Sequence, residues 1–129
     1  MKNRDIYALS LALLGEAGSA ESTADYEERA GYLLSAYCSE VREIAERMSI
    51  VRGERAEYDD PLFRPLDHDF PYDASLASPG AYYLAAMLIL DEDPDLSDRL
   101  FSRYCDAVSR IASSLPMQSE EIRDRYGLL

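Results

Sequence analysis

The strongest constraint on the fold is the stretch Ala24–Met48, in which apolar side chains recur in alternating steps of four and three. The recurring positions are Ala30, Leu34, Tyr37, Val41, Ile44 and Met48. Because steps of three and four return to one face of an α-helix, this spacing predicts a long helix whose seam faces other helices. Thr23 or Asp25 is expected to cap its N-terminus.

Further helices are predicted on either side of this element. The chain has 16 Ala and 17 Leu but only 3 Val, 6 Ile and 1 Thr, a composition that favours helices over strands. The predicted helices are Arg4–Glu16 with Asn3 as its cap, Pro79–Asp91 with Ser78 as its cap, Pro94–Leu115 with Asp93 as its cap, and a short C-terminal helix from Ser119.

Residues 50–78 have a different character. Pro61, Pro65 and Pro71 exclude a long helix, because each proline removes an amide donor and restricts the residue before it. The segment is nevertheless rich in leucine, phenylalanine and tyrosine. We therefore predict a long, ordered, extended connection that packs over the helices and contains a short strand pair or helical turn.

These elements predict an all-α fold: one domain, residues 1–129, built as a compact bundle of four main helices plus the short C-terminal helix. The run Ala81–Leu90 is apolar on all sides, so the third main helix is expected to lie at the centre. At ten residues this run is too short to cross a bilayer.

The charge of the chain limits its partners. With 13 basic and 25 acidic residues the formal net charge is −12, and Lys2 is the only lysine. Proteins that bind DNA phosphates tightly need clustered basic residues, whereas the twelve arginines here are interleaved with acids. Tight binding to nucleic acid or to an anionic membrane surface is therefore not expected.

No catalytic, metal-binding or cofactor-binding constellation emerges. His68, the single histidine, lies between Asp67 and Asp69 in the proline-rich segment, and no serine occupies a nucleophile-elbow motif. The acids of Asp91–Asp95 resemble the start of a calcium loop, but Leu96 stands where that loop requires glycine. We predict a protein that is not an enzyme and binds no cofactor or metal.

The N-terminus loosely resembles a secretory signal. Lys2 and Arg4 precede the apolar stretch Ile6–Leu14, but Asp5 and Ser10 interrupt the pattern, so a signal is not expected. Cys38 and Cys105 form no metal or redox motif and are interpreted as small buried residues in a reducing compartment.

Two regions of the chain resemble the small all-helical head–tail connector, or head-completion, proteins of phages and prophages of Firmicutes. The residues that carry the resemblance are Ala8-Leu9, Leu13 to Glu16, Asp25 to Ala30 and Leu33-Leu34 near the start, and Pro79 to Ala86, Asp91 to Asp93 and Phe101 to Tyr104 later on. The resemblance implies a non-enzymatic subunit of a ring between the head portal and the tail. It also implies assembly in the bacterial cytoplasm, then a place in the virion.

Such a ring needs two different patches on each subunit, joined head to tail, and a channel wall that repels DNA phosphates. The candidate interface residues are Tyr7, Leu11, Leu14, Leu62, Phe63, Phe70 and Tyr72. The candidate acidic channel lining is Asp91, Glu92, Asp93 and Asp95. The expected partners are other copies of the chain and the portal and tail proteins.

Two alternatives stay open at this stage. The first is an acidic interaction protein, such as a decoy whose carboxylates imitate DNA phosphates and occupy a DNA-binding partner. It requires an unbroken stripe of exposed acids. The second is a small enzyme centred on His68, which requires a deep pocket around that residue.

Overall fold

The computed structural model describes residues 1–15 and 23–116. Its α-helices are α1 (Asn3–Leu14), α2 (Thr23–Val51), α3 (Ala77–Ile89) and α4 (Pro94–Ser114), and a 3-10 turn, Ala74–Leu76, leads into α3. Within the described ranges the regular elements are all helical, which confirms the predicted all-α class. The predicted helix from Ser119 lies outside the described residues.

Helix α3 lies at the centre, as its uniformly apolar sequence predicts. It contacts α1, α2 and α4. Its fully buried side chains include Ala81, Leu84, Ala85 and Ile89. Because α3 contains no charged residue, all of its faces can be covered without burying an unpaired charge. None of the helices in the described ranges is long and apolar enough to cross a membrane.

Tyr37 joins α2 to α3. Its side chain is fully buried, and its hydroxyl donates a hydrogen bond to the carbonyl oxygen of Leu76. The ring lies 5.8 Å from that of Tyr83 and 6.0 Å from that of Tyr104, measured between centroids. Burial raises the pKa of Tyr37 above its ordinary value. The absence of a side chain at Gly80 makes room for this ring, because an added Cβ would lie 2.8 Å from Cε2 of Tyr37.

Helix α4 forms a hairpin with α3 and also reaches α2. Asp93 caps α4 as predicted, because its carboxylate accepts a hydrogen bond of 3.1 Å from the amide of Leu96. The hydroxyl of Ser97 donates to the carbonyl oxygen of Ala86 at 2.8 Å. Further along α4, the hydroxyl of Tyr104 donates to Oε2 of Glu40 on α2 at 2.6 Å.

The predicted start of α1 was wrong. Asn3 belongs to the helix instead of capping it, and its buried Nδ2 donates to the carbonyl oxygen of Pro65 at 2.8 Å. The capping position is Lys2, whose amide donates to the carboxylate of Asp5 at 2.9 Å. Local propensity assigns the Asn3 side chain to the cap, but this side chain instead makes a tertiary contact with the proline-rich connection.

The predicted start of α3 was wrong as well. The helix begins two residues before Pro79, and Ser78 lies inside its first turn. Proline fits there because amides of the first turn have no partner within the helix. The side-chain cap lies earlier and belongs to the 3-10 turn, where the Asp73 carboxylate accepts from the Ser75 amide at 3.0 Å. Hydrogen bonds from Ser75 and then Arg52 lower the pKa of Asp73 to about 2.

Between α2 and the 3-10 turn, residues 52–73 form no helix or strand, but they make specific contacts with α1. The amide of Asn3 donates to the carbonyl oxygen of His68, and the amide of Phe70 donates to that of Met1, both at 2.9 Å. Lys2 and Asp69 form an isolated β-bridge. These bonds tie the first residues of the chain to the connection and bury the side chain of Phe70 beneath them.

Candidate interaction surface

The connection follows one side of α2 and is held there by hydrogen bonds. The hydroxyl of Ser35 donates to the carbonyl oxygen of Pro61. The amide of Arg64 donates to the carbonyl oxygen of Gly31 at 3.1 Å. Further on, the hydroxyl of Tyr72 donates to the carbonyl oxygen of Cys38 at 2.8 Å. The acceptors and donors on α2 therefore fix the path of the connection along that helix.

Two large apolar side chains project from the connection between the first two of these bonds. Leu62 is 83% exposed and Phe63 is 42% exposed. The ring of Phe63 lies 4.8 Å from that of Tyr32 on α2, which is itself 55% exposed. We call these three residues the apolar knob. A cluster of exposed apolar side chains on an otherwise acidic protein is typical of an interaction site.

A glycine on α2 makes room for the knob. An added Cβ at Gly31 would overlap the ring of Phe63, with three ring carbons closer than van der Waals contact allows. The position of Phe63 therefore depends on the missing side chain at Gly31, in the same way that the position of Tyr37 depends on Gly80. Sequence reasoning missed this residue, because nothing local distinguishes a packing glycine from others in a helix.

A buried arginine lies beneath the knob. The side chain of Arg64 is only 9% exposed, and its guanidinium donates to the carbonyl oxygen of Asp59 at 3.1 Å. It also forms an ion pair with the Asp59 carboxylate at 3.4 Å. On α2, about two turns after Gly31, burial raises the pKa of the Cys38 thiol to about 12. Cys38 is thus buried as predicted, whereas the thiol of Cys105 on α4 is exposed and corrects that prediction.

Four of the predicted interface residues are not on the surface. Tyr7, Leu14, Phe70 and Tyr72 are buried in the core, and Leu11 is half-buried. The four buried side chains already pack against this chain's own core, so in this fold they present almost no surface to a partner. Of the predicted set, only Leu62 and Phe63 are well exposed.

The predicted acidic lining lies at the turn between α3 and α4. Asp91, Glu92 and Asp95 are exposed, and Asp93 is half-buried because its carboxylate caps α4. These four residues are therefore close together in space, as their proximity in sequence requires. Their arrangement concentrates negative charge at one end of the α3–α4 hairpin.

His68 lies on the surface of the connection. Its side chain is exposed, and its backbone amide donates to the carbonyl oxygen of Pro65 at 3.2 Å. Catalysis centred on His68 would require a deep pocket, and the residue is not enclosed in one. Within the described ranges, no cluster of three or more potential ligands is arranged to hold a metal ion.

Comparisons with known proteins add no relative. No family model matches the chain, and no curated protein or solved structure matches it significantly. The resemblance to head–tail connectors therefore remains an expectation based on the motifs of its helices.

Proposed function

We propose that this chain is a non-enzymatic assembly protein, one subunit of a ring that joins the head portal to the tail of a phage or prophage particle. Its partners are other copies of itself and the portal and tail proteins. It assembles in the bacterial cytoplasm and then belongs to the virion. The observation that carries the proposal is the apolar knob, in which Leu62 is 83% exposed although hydrogen bonds hold the backbone on either side of it.

The distribution of charge supports the same role. A channel for DNA should not bind phosphates, and carboxylates on its wall repel them. The exposed acids at the α3–α4 turn, Asp91, Glu92 and Asp95, form a compact negative group suited to such a wall. In a ring, this acidic group would be repeated once per subunit.

The ion pairs on α2 argue against the alternative of a decoy that imitates DNA. A mimic of DNA needs regularly spaced carboxylates that are free to meet a partner's basic groups. Here Asp25 is paired with Arg29 at 3.3 Å, and Glu27 is paired with Arg4 at 3.2 Å. These arginines interrupt the acidic surface of α2 and neutralise part of it.

The proposal is tested with the genes beside this one and with the portal protein that they encode. We expect neighbouring reading frames for portal, capsid and tail proteins. We also expect the purified chain to bind the portal and to form a ring on it in negative-stain images. A neighbourhood without virion genes, or a chain that does not bind the portal, would contradict the proposal.

A matched pair of variants sharpens the binding test. Leu62→Asp places a charge in the knob, whereas Leu9→Asp makes the same change at a leucine on α1 that is 43% exposed. Rings on the portal should be lost with the first variant and retained with the second. Equal loss in both would indicate a general effect of added charge.

A further inference from the structure

The part of the connection that covers α2, residues 57–72, is anchored just outside both of its ends. Before it, the amide of Ala56 donates to the Ser49 hydroxyl at 2.6 Å, so the chain leaves α2 at a fixed point. After it, the carboxylate of Asp73 is held by Arg52. We call residues 57–72 the strap. Because both anchors lie outside the strap, it can lift from α2 without disturbing them.

The strap contacts one face of α2. The residues of α2 that bond it are spaced four, three and four residues apart: Gly31, Ser35, Cys38 and Arg42. Steps of three and four return to the same face of a helix. This face of α2 is therefore the one that the strap covers.

The helices do not depend on the strap for their own packing. Helix α3 contacts α1, α2 and α4 directly, and central side chains such as Leu84 and Ala85 are fully buried. The strap adds Leu66, Phe70 and Tyr72 at the edge of this core, where each keeps 7 or 8% of its surface exposed. Lifting the strap would remove these three side chains and leave the helices packed around α3.

Exposed ion pairs and scattered hydrogen bonds hold the strap in place. Arg42 pairs with Asp60 at 3.8 Å and Arg4 pairs with Asp67 at 3.2 Å, and the side chains of all four are at least 43% exposed. Exposed ion pairs of this kind contribute little to stability. Backbone hydrogen bonds also join the strap to residues 1–4, but amides in the first turn of a helix are readily satisfied by water.

The strap therefore has the features of a segment that unfolds locally. Its residues form no helix or strand, so its backbone lacks the regular internal hydrogen bonds that stabilise the four helices. Segments with few buried apolar contacts and exposed polar contacts open with a smaller free energy than the core of the same protein.

A buried thiol lies beneath the strap. Cys38 is fully buried, and its carbonyl oxygen accepts the hydrogen bond from the Tyr72 hydroxyl at 2.8 Å. Burial raises the pKa of this thiol, and the charges that act on it include those of Arg64, Asp59 and Asp60. All four of these neighbours belong to the strap, so the thiol reports whether the strap is closed.

We propose that the strap unfolds locally as a unit while the helices stay packed, and that this opening is the unfolding event that exposes Cys38. The closed strap also displays the apolar knob, because Leu62 and Phe63 lie between the bonds to Ser35 and Gly31. One equilibrium thus governs both the cover over Cys38 and the position of the knob. The motion belongs to the single chain and needs no partner.

Thiol labelling of the full chain in native buffer tests this opening, with the two cysteines distinguished by peptide mass spectrometry. Cys105 is exposed and gives the rate of the reagent with an accessible thiol, so the ratio of the two rates measures the open fraction at Cys38. At low urea concentrations the labelling of Cys38 should rise only shallowly, because opening of the strap exposes little surface. It should rise steeply once global unfolding dominates.

Two variants that each remove one hydroxyl separate local from global unfolding. Tyr72→Phe loses the bond of the strap to Cys38, and Tyr104→Phe loses the bond of α4 to Glu40. Labelling of Cys38 should be about fivefold faster with Tyr72→Phe, because only the closed strap makes that bond. With Tyr104→Phe it should change by less than about twofold, although the urea midpoint falls, because this bond is present whether the strap is open or closed.

A third variant enlarges the effect. Phe70→Ala removes a large part of the packing of the strap and should speed the labelling of Cys38 about a hundredfold. Circular dichroism should show the helix content of the unaltered chain in all three variants. Should Phe70→Ala fail to fold, the comparison of Tyr72→Phe with Tyr104→Phe decides the question alone.

Three results would overturn the inference. In the first, Tyr104→Phe speeds the labelling of Cys38 as much as Tyr72→Phe does, which would mean that only global unfolding exposes this thiol. In the second, Cys38 is labelled only within the global unfolding transition. In the third, Cys38 reacts as fast as Cys105 in native buffer, which would mean that the strap is not closed.

Discussion

The close approach of α2 and α3 at Gly80 provides a sharp test of the core. Replacing this residue by alanine would put a Cβ 2.8 Å from Cε2, 3.1 Å from Cδ2 and 3.3 Å from Cζ of Tyr37. The ring has little freedom to move away. It is fully buried, its hydroxyl is bonded to the carbonyl oxygen of Leu76, and the rings of Tyr83 and Tyr104 lie beside it.

Two opposing terms set the magnitude for Gly80→Ala. In a helix, alanine is more favourable than glycine by about 0.5–1 kcal/mol, since glycine loses more conformational freedom on folding. Inserting a methyl group into a well-packed core costs about 1–3 kcal/mol. The overpacking term is the larger, so the free energy of unfolding should fall by about 1–2 kcal/mol.

Urea denaturation followed by circular dichroism measures this change, and a double-mutant cycle assigns its cause. In a Tyr37→Leu background the ring atoms nearest the added Cβ are gone, so Gly80→Ala should become neutral or stabilising. The reasoning is refuted if Gly80→Ala stabilises the unaltered chain, or if it destabilises both backgrounds equally. In either case the Tyr37 ring would not be what excludes a side chain at this position.

Other consequences of the structure are open to measurement. The hydrogen-bonded carboxylate of Asp73, whose pKa is lowered to about 2 from 3.8, stabilises the fold above the unfolded-state pKa. This stabilisation, about 1 kcal/mol after solvent screening, should be lost as the pH falls from 3.8 through about 2. The variant Asp73→Asn should lack this part of the pH dependence of the urea midpoint. Tyr104→Phe removes a 2.6 Å bond to Glu40 and should cost about 1–2 kcal/mol in the same assay. In native protein a thiol reagent should modify exposed Cys105 rapidly and buried Cys38 only on unfolding, so two fast reactions would contradict the fold.

The sequence predicts the helices best where one physical effect dominates. The seam of α2 and the uniformly apolar α3 both depend on burial of apolar area, and both predictions were confirmed by buried residues such as Leu34 and Leu84. The start of α4 was equally predictable, because Asp93-Pro94 combines a capping carboxylate with a residue suited to the first turn.

Helix starts were mispredicted where a tertiary contact competes with local preference. Asn3 has the side chain of a good cap, but its amide instead bonds Pro65, which is distant in sequence. Ser78-Pro79 has the pattern of a helix start, yet a 3-10 turn capped by Asp73 begins the helix earlier. The spacing of apolar residues within a short stretch predicts neither a bond to a residue distant in sequence, such as Asn3 to Pro65, nor a 3-10 turn that precedes the helix.

The interaction surface was only partly predictable, because the connection has no periodicity to separate buried from exposed apolar residues. Phe63 and Phe70 are the same residue type in the same proline-rich segment, but one is exposed and the other is buried beneath the N-terminus.

The hydrogen bonds that bracket the knob explain why these two residues are exposed and how they can bind. Pro61 is held by Ser35, and Arg64 is held by Gly31 and buried against Asp59, so the two residues between them are carried outward by backbone that is fixed at both ends. A side chain displayed in this way loses less conformational freedom on binding than one on an unanchored loop. The same bonds that close the connection over α2 therefore also preorganise the surface that we propose for assembly.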